Sequence, residues 1–414
     1  MADASITSDI PVVRLPAVCG GSPRLSRPRY VGTPTIPDRS VLHARLDEML
    51  DARRLTNDGP FVRDLERRLS VLNGGVEVVA VCNATIGMQL LMRALDVTGE
   101  VIIPSFTFIA TAHACLWERL DPVFVDVDPV THVIDPCHVA ELLSERTAAI
   151  VGVHLWGRMC PVDELERLAH VHGVPLVFDA AHAIGCTYRG VPMGRLGTAS
   201  VVSLHATKFI QSLEGGAILT SDRQLADRLR LMRNFGFAGY DRVTSIGTNA
   251  KLDEFSAAMA LGSLEGIDAL ITRNRVNRDA YRTALAGIPG ITLYEYDETE
   301  ANNYQYLIVS VDPEISPFTR DEIVEILHAE NVIVRRYFSP GCHRSLPYVK
   351  MPATVRSPLP VTDRLAEVLL AMPTGSGVDV EDILVIGEIL RGAVQHRREV
   401  CEVLRERRLV RSAA

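Results

Sequence analysis

The chain has 414 residues, of which 47% are hydrophobic and 23% are charged, and its formal net charge is −8. This length exceeds one compact core of ordinary size and predicts two or three domains. The acidic balance and the lack of basic clusters exclude nucleic acid as an expected partner. No uncharged apolar run reaches membrane-spanning length and the N-terminus lacks a signal-peptide pattern, which predicts a cytoplasmic protein with no membrane partner.

The eight cysteines form no CxxC pair and no spacing typical of metal ligands. Several of them lie inside apolar runs, where a reduced cysteine behaves as a small hydrophobic residue. The cysteine pattern therefore predicts a reducing compartment and no metal site.

Residues 1–35 are rich in Pro, Gly, Ser and Arg without a sustained period, which predicts a loose N-terminal arm. One helix is predicted after Pro37 and a second from Phe61. Beyond them, short β-branched runs alternate with amphipathic stretches of helical length. Seven such runs are predicted to be strands: 78–82, 101–103, 123–126, 149–154, 176–179, 201–204 and 217–220. Apolar strands separated by helices are typical of an α/β fold with a largely parallel sheet covered on both faces.

Such a sheet binds its ligand beyond the carboxyl ends of its strands. We therefore assign residues 36–265 to a large ligand-binding domain. The pattern changes near residue 265, where a long helix over 264–281 leads into a smaller α/β domain, residues 266–414. In this smaller domain, strands are predicted at 306–311 and 332–338, and helices are predicted at 320–329, 363–370 and 381–394.

The first candidate site segment is the turn at residues 83–87, which follows the strand at 78–82 and begins an apolar-striped helix. The free N–H groups and the dipole of a helix start favour an anion there. The alternative is that Asn83 only caps the helix.

The second candidate is Asp179, which ends the run at 176–179. A buried carboxylate needs a partner, because leaving it unpaired is costly. A protonated pyridine nitrogen is such a partner, and an aspartate there makes pyridoxal phosphate (PLP) a better electron sink. The alternative is that Asp179 caps the next helix.

The third candidate is Lys208, which lies just past a strand and 29 positions after Asp179 (208 − 179). A lysine amine beside a cofactor aldehyde forms an imine, and once released it can move a proton. Ser203, nearby, can hydrogen-bond a phosphate. A lone lysine is usually a solvated surface charge, but the order Asn83, Asp179, Lys208 disfavours that alternative.

These segments resemble the DegT/DnrJ/EryC1/StrS family of sugar aminotransferases, a branch of the fold-type I PLP enzymes. The resemblance covers residues 27–391. It implies a large domain with a mostly parallel seven-stranded sheet and a smaller C-terminal α/β domain. It rests on ordered motifs: LTNDGPFVRDLE, CNAT, VIIPSFTFIATAHA, PVFVDVDP, VGVHLWGRMCPVDEL, FDAAHAIG, SLHATKFIQSLEGGAILT, GTNAKLDEFSAA and RRYFSPGCHRSLPY.

The resemblance implies PLP as the cofactor, with pyridoxamine phosphate as its second form. It implies that Lys208 is the catalytic lysine that holds the cofactor as a Schiff base. Asp179 would pair with the pyridine nitrogen, and Phe108 would stack on the ring. His182 stands where many members have glutamine, near the phenolic oxygen of the cofactor.

The resemblance also implies that Ala84, Thr85 and Ser203 contact the cofactor phosphate. Asn249, in the motif GTNAK, matches the residue that reaches the phosphate from a neighbouring subunit. A homodimer with shared active sites follows from that match. The alternative is that Asn249 caps the helix after it within its own subunit.

Within the family, the chain is most similar to members that aminate C4 of a nucleotide-linked 4-keto-6-deoxy sugar, such as the desosamine-pathway 4-aminotransferase. This implies dTDP-4-keto-6-deoxy-D-glucose as the acceptor and L-glutamate as the donor, which leaves as 2-oxoglutarate. The implied setting is deoxyamino sugar biosynthesis for an antibiotic or another glycosylated natural product. Four residues match a segment that lines the sugar site in relatives, with a surface-loop role as the alternative: Tyr337, Ser339, His343 and Tyr348.

Three alternative functions remain. The chain could aminate C3 of a 3-keto sugar nucleotide instead of C4. Dehydrases of the family have histidine in place of the catalytic lysine, so the presence of Lys208 disfavours that activity. A PLP-binding regulatory dimer without activity is disfavoured by the complete set of Lys208, Asp179 and Ser203.

Overall fold

The structure is a computed structural model, and it describes residues 14–412. The α-helices are α1 (Arg39–Asp51), α2 (Pro60–Leu72), α3 (Ala84–Ala94), α4 (Ile109–Trp117), α5 (Pro136–Leu142), α6 (Val162–His172), α7 (Arg223–Met232), α8 (Glu254–Glu265), α9 (Ile267–Leu285), α10 (Arg320–Ala329), α11 (Leu346–Val349), α12 (Pro360–Val368), α13 (Val380–Gln395) and α14 (Arg397–Ser412). The strands are β1 (Arg29–Tyr30), β2 (Glu77–Val81), β3 (Glu100–Pro104), β4 (Asp121–Val125), β5 (Thr147–Val153), β6 (Leu176–Asp179), β7 (Thr187–Tyr188), β8 (Val191–Pro192), β9 (Ala199–Ser203), β10 (Gly216–Thr220), β11 (Ile291–Leu293), β12 (Leu307–Val311), β13 (Val332–Ile333) and β14 (Leu369–Met372).

A seven-stranded sheet forms the centre of the molecule, with the order β2-β10-β9-β6-β5-β3-β4. All neighbouring pairs are parallel except the two that include β10, which runs opposite to β2 and β9. The seven predicted strands are these seven strands, each displaced by at most two residues at either end. The predicted mostly parallel α/β fold is confirmed.

Both faces of this sheet are covered by helices, which is why its strands are apolar throughout. Helix α2 shows the pattern on one face, where Phe61, Leu65 and Leu69 recur every four residues and are buried. Full burial of a leucine side chain contributes about 2 kcal/mol. Helices α3, α4 and α7 cover the other face, around a second apolar cluster. The sheet is thus fixed on both sides, and its strand ends hold their side chains in place.

The predicted helix at 264–281 is two helices in the structure. Helix α8 ends at Glu265 and α9 begins at Ile267, with a bend of 61° between them. The break falls at Gly266, whose missing side chain lowers helix propensity. Among residues 14–412, no single helix is long and apolar enough to cross a membrane, and only the bent pair α8–α9 passes on length and composition.

A three-stranded antiparallel sheet, ordered β11-β12-β14, follows α9. The predicted strand at 332–338 is reduced to β13, and the predicted helix at 363–370 is α12 followed by β14. Pro360 starts α12 early, and the four buried residues of β14 pair with β12 instead of continuing the helix. The division into domains 36–265 and 266–414 stays a prediction.

Residues 14–35 pack against the C-terminal part of the chain, so the expectation of a loose arm is wrong for them. Strand β1 pairs with β13, and Arg29 forms two hydrogen bonds with Asp382, of 2.7 and 2.8 Å. The buried carboxylate of Glu330 accepts the backbone N–H groups of Ala17 and Arg24. These bonds join segments about 300 residues apart, which sequence periodicity does not reveal. Residues 1–13 of the predicted arm lie outside the described residues.

Candidate active site

A cavity of about 510 Å³ opens at the carboxyl ends of the central strands. It extends from the start of α3 to the segment after β13. The predicted cofactor residues in its lining are Ala84, Thr85, Phe108, Asp179, His182, Ser203 and Lys208. Asn249 is absent from this lining. The fold therefore brings together, from four separate parts of the sequence, every predicted cofactor contact except Asn249.

One end of the cavity is formed by the start of α3. Asn83 caps this helix, since its Oδ1 accepts the N–H of Ile86 at 2.9 Å. Asn83 therefore caps the helix, as the alternative interpretation had it, and also lines the cavity. The N–H groups of Ala84 and Thr85 begin the helix, where no intrahelical acceptor exists. A Cβ atom at Gly216 would lie 2.6 Å from the Ala84 nitrogen, so glycine allows β10 to lie against this turn.

Asp179 lies at the end of β6 with both carboxylate oxygens oriented by the protein. Oδ2 accepts a hydrogen bond from the hydroxyl of Thr111 at 2.7 Å, and Oδ1 accepts the N–H of Ala181 at 3.1 Å. The residues that follow form turns and no helix. The alternative that Asp179 caps a helix is therefore wrong, and its carboxylate belongs to the cavity.

Lys208 is partly buried, and its Nζ donates a hydrogen bond to the hydroxyl of Tyr306 at 3.2 Å. Burial lowers the pKa of the Lys208 amine, while Asp179 and Tyr337 act in the opposite direction. A lowered pKa raises the fraction of uncharged amine, which is the nucleophilic form. Lys208 is thus a cavity residue and not a solvated surface lysine.

Two buried histidines, His154 and His182, line the cavity in the same protonation state. Nδ1 of His182 accepts the N–H of Trp156 at 3.2 Å, and Nδ1 of His154 accepts the N–H of Cys160 at 3.1 Å. Burial lowers the pKa of His154 to about 3 and the pKa of His182 well below its ordinary value, with the charge of Lys208 adding to the latter. Both rings are therefore neutral with the proton on Nε2. Nε2 of His154 is buried and has no hydrogen-bond partner within the described chain.

The comparison with protein families identifies this cavity. Residues 38–391 match the model of the DegT/DnrJ/EryC1/StrS aminotransferase family. The chain belongs to this family. It is a PLP-dependent aminotransferase, as the sequence resemblance implied.

The relatives agree in length and fold. The chain is 32% identical over 364 residues to the dTDP-4-amino-4,6-dideoxy-D-glucose transaminase of Escherichia coli, which covers 87% of this chain and 98% of that protein. The crystal structure of DesI in the presence of its TDP-sugar product matches with 47% identity and a TM-score of 0.90, over 94% of this chain and 98% of that one. The structure of DesV from S. venezuelae matches with 28% identity and a TM-score of 0.77, over 87% of this chain and 98% of that one.

The cavity of this DegT-family chain has the chemical groups that PLP requires. Lys208 provides an amine for the aldehyde, Asp179 provides a carboxylate for the pyridine nitrogen, and the start of α3 provides N–H groups for the phosphate. The unpartnered N–H of His154 is a further donor that a bound polar group would satisfy. The residues present therefore fit the cofactor. No cluster of His, Cys, Asp or Glu that could hold a metal ion occurs among residues 14–412.

Sequence reasoning missed three residues of this family site: Thr111, Tyr306 and Arg335. Thr111 lies in α4 soon after Phe108, and only the folded chain shows that its hydroxyl is buried in the site. Tyr306 directly precedes β12, where a buried tyrosine needs a hydrogen-bond partner. Arg335 interrupts an apolar run, which is an unusual place for a charge.

The four predicted sugar contacts separate into two pairs. Tyr337 lines the main cavity, and Ser339 lines an adjoining cavity of about 240 Å³ next to Phe108. His343 and Tyr348 line neither cavity.

His343 and Tyr348 instead make bonds that support the walls of the site. His343 lies between the hydroxyl of Ser105, 2.7 Å from Nδ1, and the carboxylate of Asp363, 3.1 Å from Nε2. Tyr348 is fully buried and its hydroxyl lies 2.8 Å from Nδ1 of His113. These two residues can therefore affect the sugar only indirectly, by positioning the segments to which they are bonded.

Asn249 lies on the surface, outside the cavity of its own chain. Its Oδ1 accepts a hydrogen bond from Nζ of Lys251 at 2.7 Å. Helix α8 is capped by Asp253, whose side chain accepts the N–H of Ser256 at 2.8 Å. The alternative that Asn249 caps this helix is therefore wrong.

Proposed function

We propose that this enzyme transfers the amino group of L-glutamate to the C4 carbonyl of dTDP-4-keto-6-deoxy-D-glucose. Glutamate leaves as 2-oxoglutarate, and the C4 carbonyl becomes a C4 amine. The central observation is the cavity that holds the amine of Lys208 together with the oriented carboxylate of Asp179. The transaminase name of the E. coli relative and the TDP-sugar product of DesI support the choice of C4 and of a thymidine nucleotide. We place the reaction in deoxyamino sugar biosynthesis for a glycosylated natural product.

In this proposal Lys208 and Asp179 have the two main chemical roles. PLP, when bound, supplies the aldehyde that exchanges amino groups and a ring that accepts electrons. Asp179 would keep the proton on the pyridine nitrogen, and the hydroxyl of Thr111 fixes the direction of its carboxylate. The free amine of Lys208 would take the proton from the α carbon of glutamate and deliver it to the cofactor carbon that receives the amino group. In the second half-reaction it would move a proton in the reverse direction, to C4 of the sugar.

Five further residues would hold the cofactor in place. The N–H groups of Ala84 and Thr85 and the hydroxyl of Ser203 would bind the phosphate. Phe108 is half exposed in the cavity and would cover the ring. His182, neutral with its proton on Nε2, would donate to the phenolic oxygen, and its charge state stays constant because burial lowers its pKa. Tyr337 and Ser339 contact the sugar nucleotide near the opening.

One assay tests this function. The purified enzyme receives PLP, L-glutamate and dTDP-4-keto-6-deoxy-D-glucose, and the product is examined by NMR. We expect nitrogen on C4 and one equivalent of 2-oxoglutarate. Nitrogen on C3 after supply of a 3-keto isomer alone would favour the C3 activity. PLP binding without any reaction of glutamate would favour the regulatory dimer.

We propose that the hydroxyl of Tyr306 accepts a hydrogen bond from the amine of Lys208 whenever that amine is not bonded to the cofactor. Its hydroxyl is already the acceptor at 3.2 Å, and burial raises the pKa of Tyr306, so the hydroxyl stays protonated. Tyr306→Phe should lower kcat by about tenfold or more, since a hydrogen bond to a charged group is lost, with little change in KM. The pH dependence of the cofactor absorbance should shift as well.

The control for Tyr306→Phe is Tyr281→Phe. Tyr281 is also buried, and its hydroxyl donates to the backbone of Pro373 at 2.9 Å, in the C-terminal part of the chain. It does not line the cavity. Equal kcat values and equal absorbance titrations in the two variants would contradict the role of Tyr306.

We further propose a homodimer in which Asn249 completes the phosphate site of the neighbouring subunit. Asn249 is exposed and does not line its own cavity, and the segment before it has exposed apolar side chains. Tyr240 is 100% exposed, Ile246 82% and Val243 60%. A cluster of exposed apolar residues is typical of a protein interface.

Mixing two inactive variants tests the shared site. Lys208→Ala lacks the amine, and Asn249→Asp places a carboxylate against the neighbour's phosphate, which repels it. In a 1:1 mixture half of the dimers are hybrids with one intact site of two, so roughly a quarter of the wild-type activity should return. The control is mass spectrometry of the mixture, to establish subunit exchange. Exchange without recovered activity would contradict the shared site.

A further inference from the structure

Arg335 lines the cavity, and its backbone is held by hydrogen bonds. Its N–H donates to the carbonyl of Ala371 at 3.1 Å, and its own carbonyl accepts the N–H of Ala371 at 2.8 Å. The guanidinium lies over the ring of Tyr337, 5.8 Å from its centroid. The side chain is exposed and borders both the main cavity and the adjoining one. The guanidinium of Arg335 is therefore exposed in the cavity, on a backbone that is held in place.

The charge of Arg335 has no carboxylate partner within the described chain. Its neighbour Arg336 differs, since Nε of Arg336 forms an ion pair with Asp321 at 2.5 Å. Within the cavity lining, Lys208 is the other side chain of this type, and its amine reacts with the cofactor. Arg335 is thus the permanent cation of the cavity that remains available to a substrate.

Two aromatic rings connect Arg335 with Lys208. The guanidinium of Arg335 lies 5.8 Å from the centroid of the Tyr337 ring, and that ring lies 6.3 Å from the ring of Tyr306. The hydroxyl of Tyr306 accepts the hydrogen bond from Nζ of Lys208. Arg335 and the reacting amine therefore belong to the same group of side chains in the cavity.

We infer that Arg335 is the residue that binds the anionic group of the substrates. This inference rests on the proposed function, because both proposed substrates have anionic groups. Glutamate has two carboxylates, and the sugar nucleotide has a diphosphate. A guanidinium binds either group with two parallel hydrogen bonds. Each substrate needs an anionic group held while its carbon reacts at Lys208, and Arg335 lines the same cavity.

The test compares Arg335→Met with Arg336→Met. Each variant loses one guanidinium and keeps a side chain of similar length. Arg336 is the matched control because it lines the adjoining cavity but not the main one, and its guanidinium is paired with Asp321. The two half-reactions are measured separately by the cofactor absorbance, first with L-glutamate and then with the sugar nucleotide. Binding of dTDP alone is measured by calorimetry. Unchanged cofactor absorbance establishes that both variants fold and bind PLP.

Arg335→Met should raise KM about ten- to a hundredfold in the affected half-reaction, because a hydrogen bond to a charged group is lost. A change with glutamate alone identifies a carboxylate as the anion, and a change with the sugar nucleotide and dTDP alone identifies the diphosphate. A change in both shows that the two substrates share the site. Equal KM and dTDP affinity in both variants and the wild type would overturn the inference. A wild-type protein that reacts with neither substrate would refute the proposed function as well.

Discussion

Lys208→Ala is expected to bind PLP and to lose the visible absorbance of the lysine-bound cofactor. The phosphate contacts at the start of α3 and at Ser203 remain, so the cofactor is retained. No amine remains at this position to bond with the aldehyde or to move the proton between the two halves of the reaction. Turnover should fall by roughly 10²- to 10⁴-fold or more, the range for loss of a positioned acid–base group.

Borohydride reduction followed by peptide mapping tests the position of the bond. The sequence contains three lysines, Lys208, Lys251 and Lys350, so the label has few possible places. The wild type should carry it on Lys208, and Lys208→Ala should carry none. Lys350→Ala, which changes an exposed lysine, is the matched control and should keep label, absorbance and turnover. A label on Lys251 or Lys350 would remove Lys208 from its role.

The seven central strands were predictable because each is a short apolar run buried on both faces. No such local signal exists for the C-terminal part. Residues 334–338 look like a continuation of β13, yet Arg335 pairs with Ala371, far along the sequence. In the same way, the end of the predicted helix at 363–370 became β14 because β12 offers it a partner. Pairing between distant segments determines whether these residues form strands, and local periodicity gives no information about such pairing.

In the candidate site, too, some residues have a local sequence signal and others are brought in by distant parts of the fold. Asp179 and Lys208 were predictable because they end or follow strands of one parallel sheet, whose carboxyl ends meet. Thr111, Tyr306 and Arg335 reach the site from a helix and from a different sheet, so only the folded chain shows that they belong to it.

Family motifs identified Tyr337, Ser339, His343 and Tyr348 as one group of substrate contacts. The structure separates them, since two border cavities and two hold the surrounding segments. A motif thus includes residues that contact the substrate and residues that support them, and it does not show which is which. Hydrogen-bond geometry does, because His343 is already bonded on both ring nitrogens.

Asp179→Asn is expected to keep PLP bound and to lose most of the turnover. The amide has the shape of the carboxylate, so its oxygen can still accept the N–H of Ala181 and its NH2 group can donate to the hydroxyl of Thr111. The negative charge that keeps the pyridine nitrogen protonated is absent, and the ring becomes a poor electron acceptor. Loss of one oriented electrostatic group in an active site costs on the order of 10²- to 10³-fold in rate. The single-turnover rate with L-glutamate should fall by this factor.

Thr111→Val separates the charge of Asp179 from its orientation. This variant removes the 2.7 Å hydrogen bond and leaves the carboxylate, in a side chain of nearly equal volume. Its rate should lie between those of the wild type and Asp179→Asn, because the charge remains while its direction is less fixed. Cofactor content, measured after denaturation, should be equal in all three proteins. A near-normal single-turnover rate in Asp179→Asn would exclude Asp179 as the partner of the pyridine nitrogen, since this substitution removes the negative charge and one acceptor oxygen at nearly constant shape.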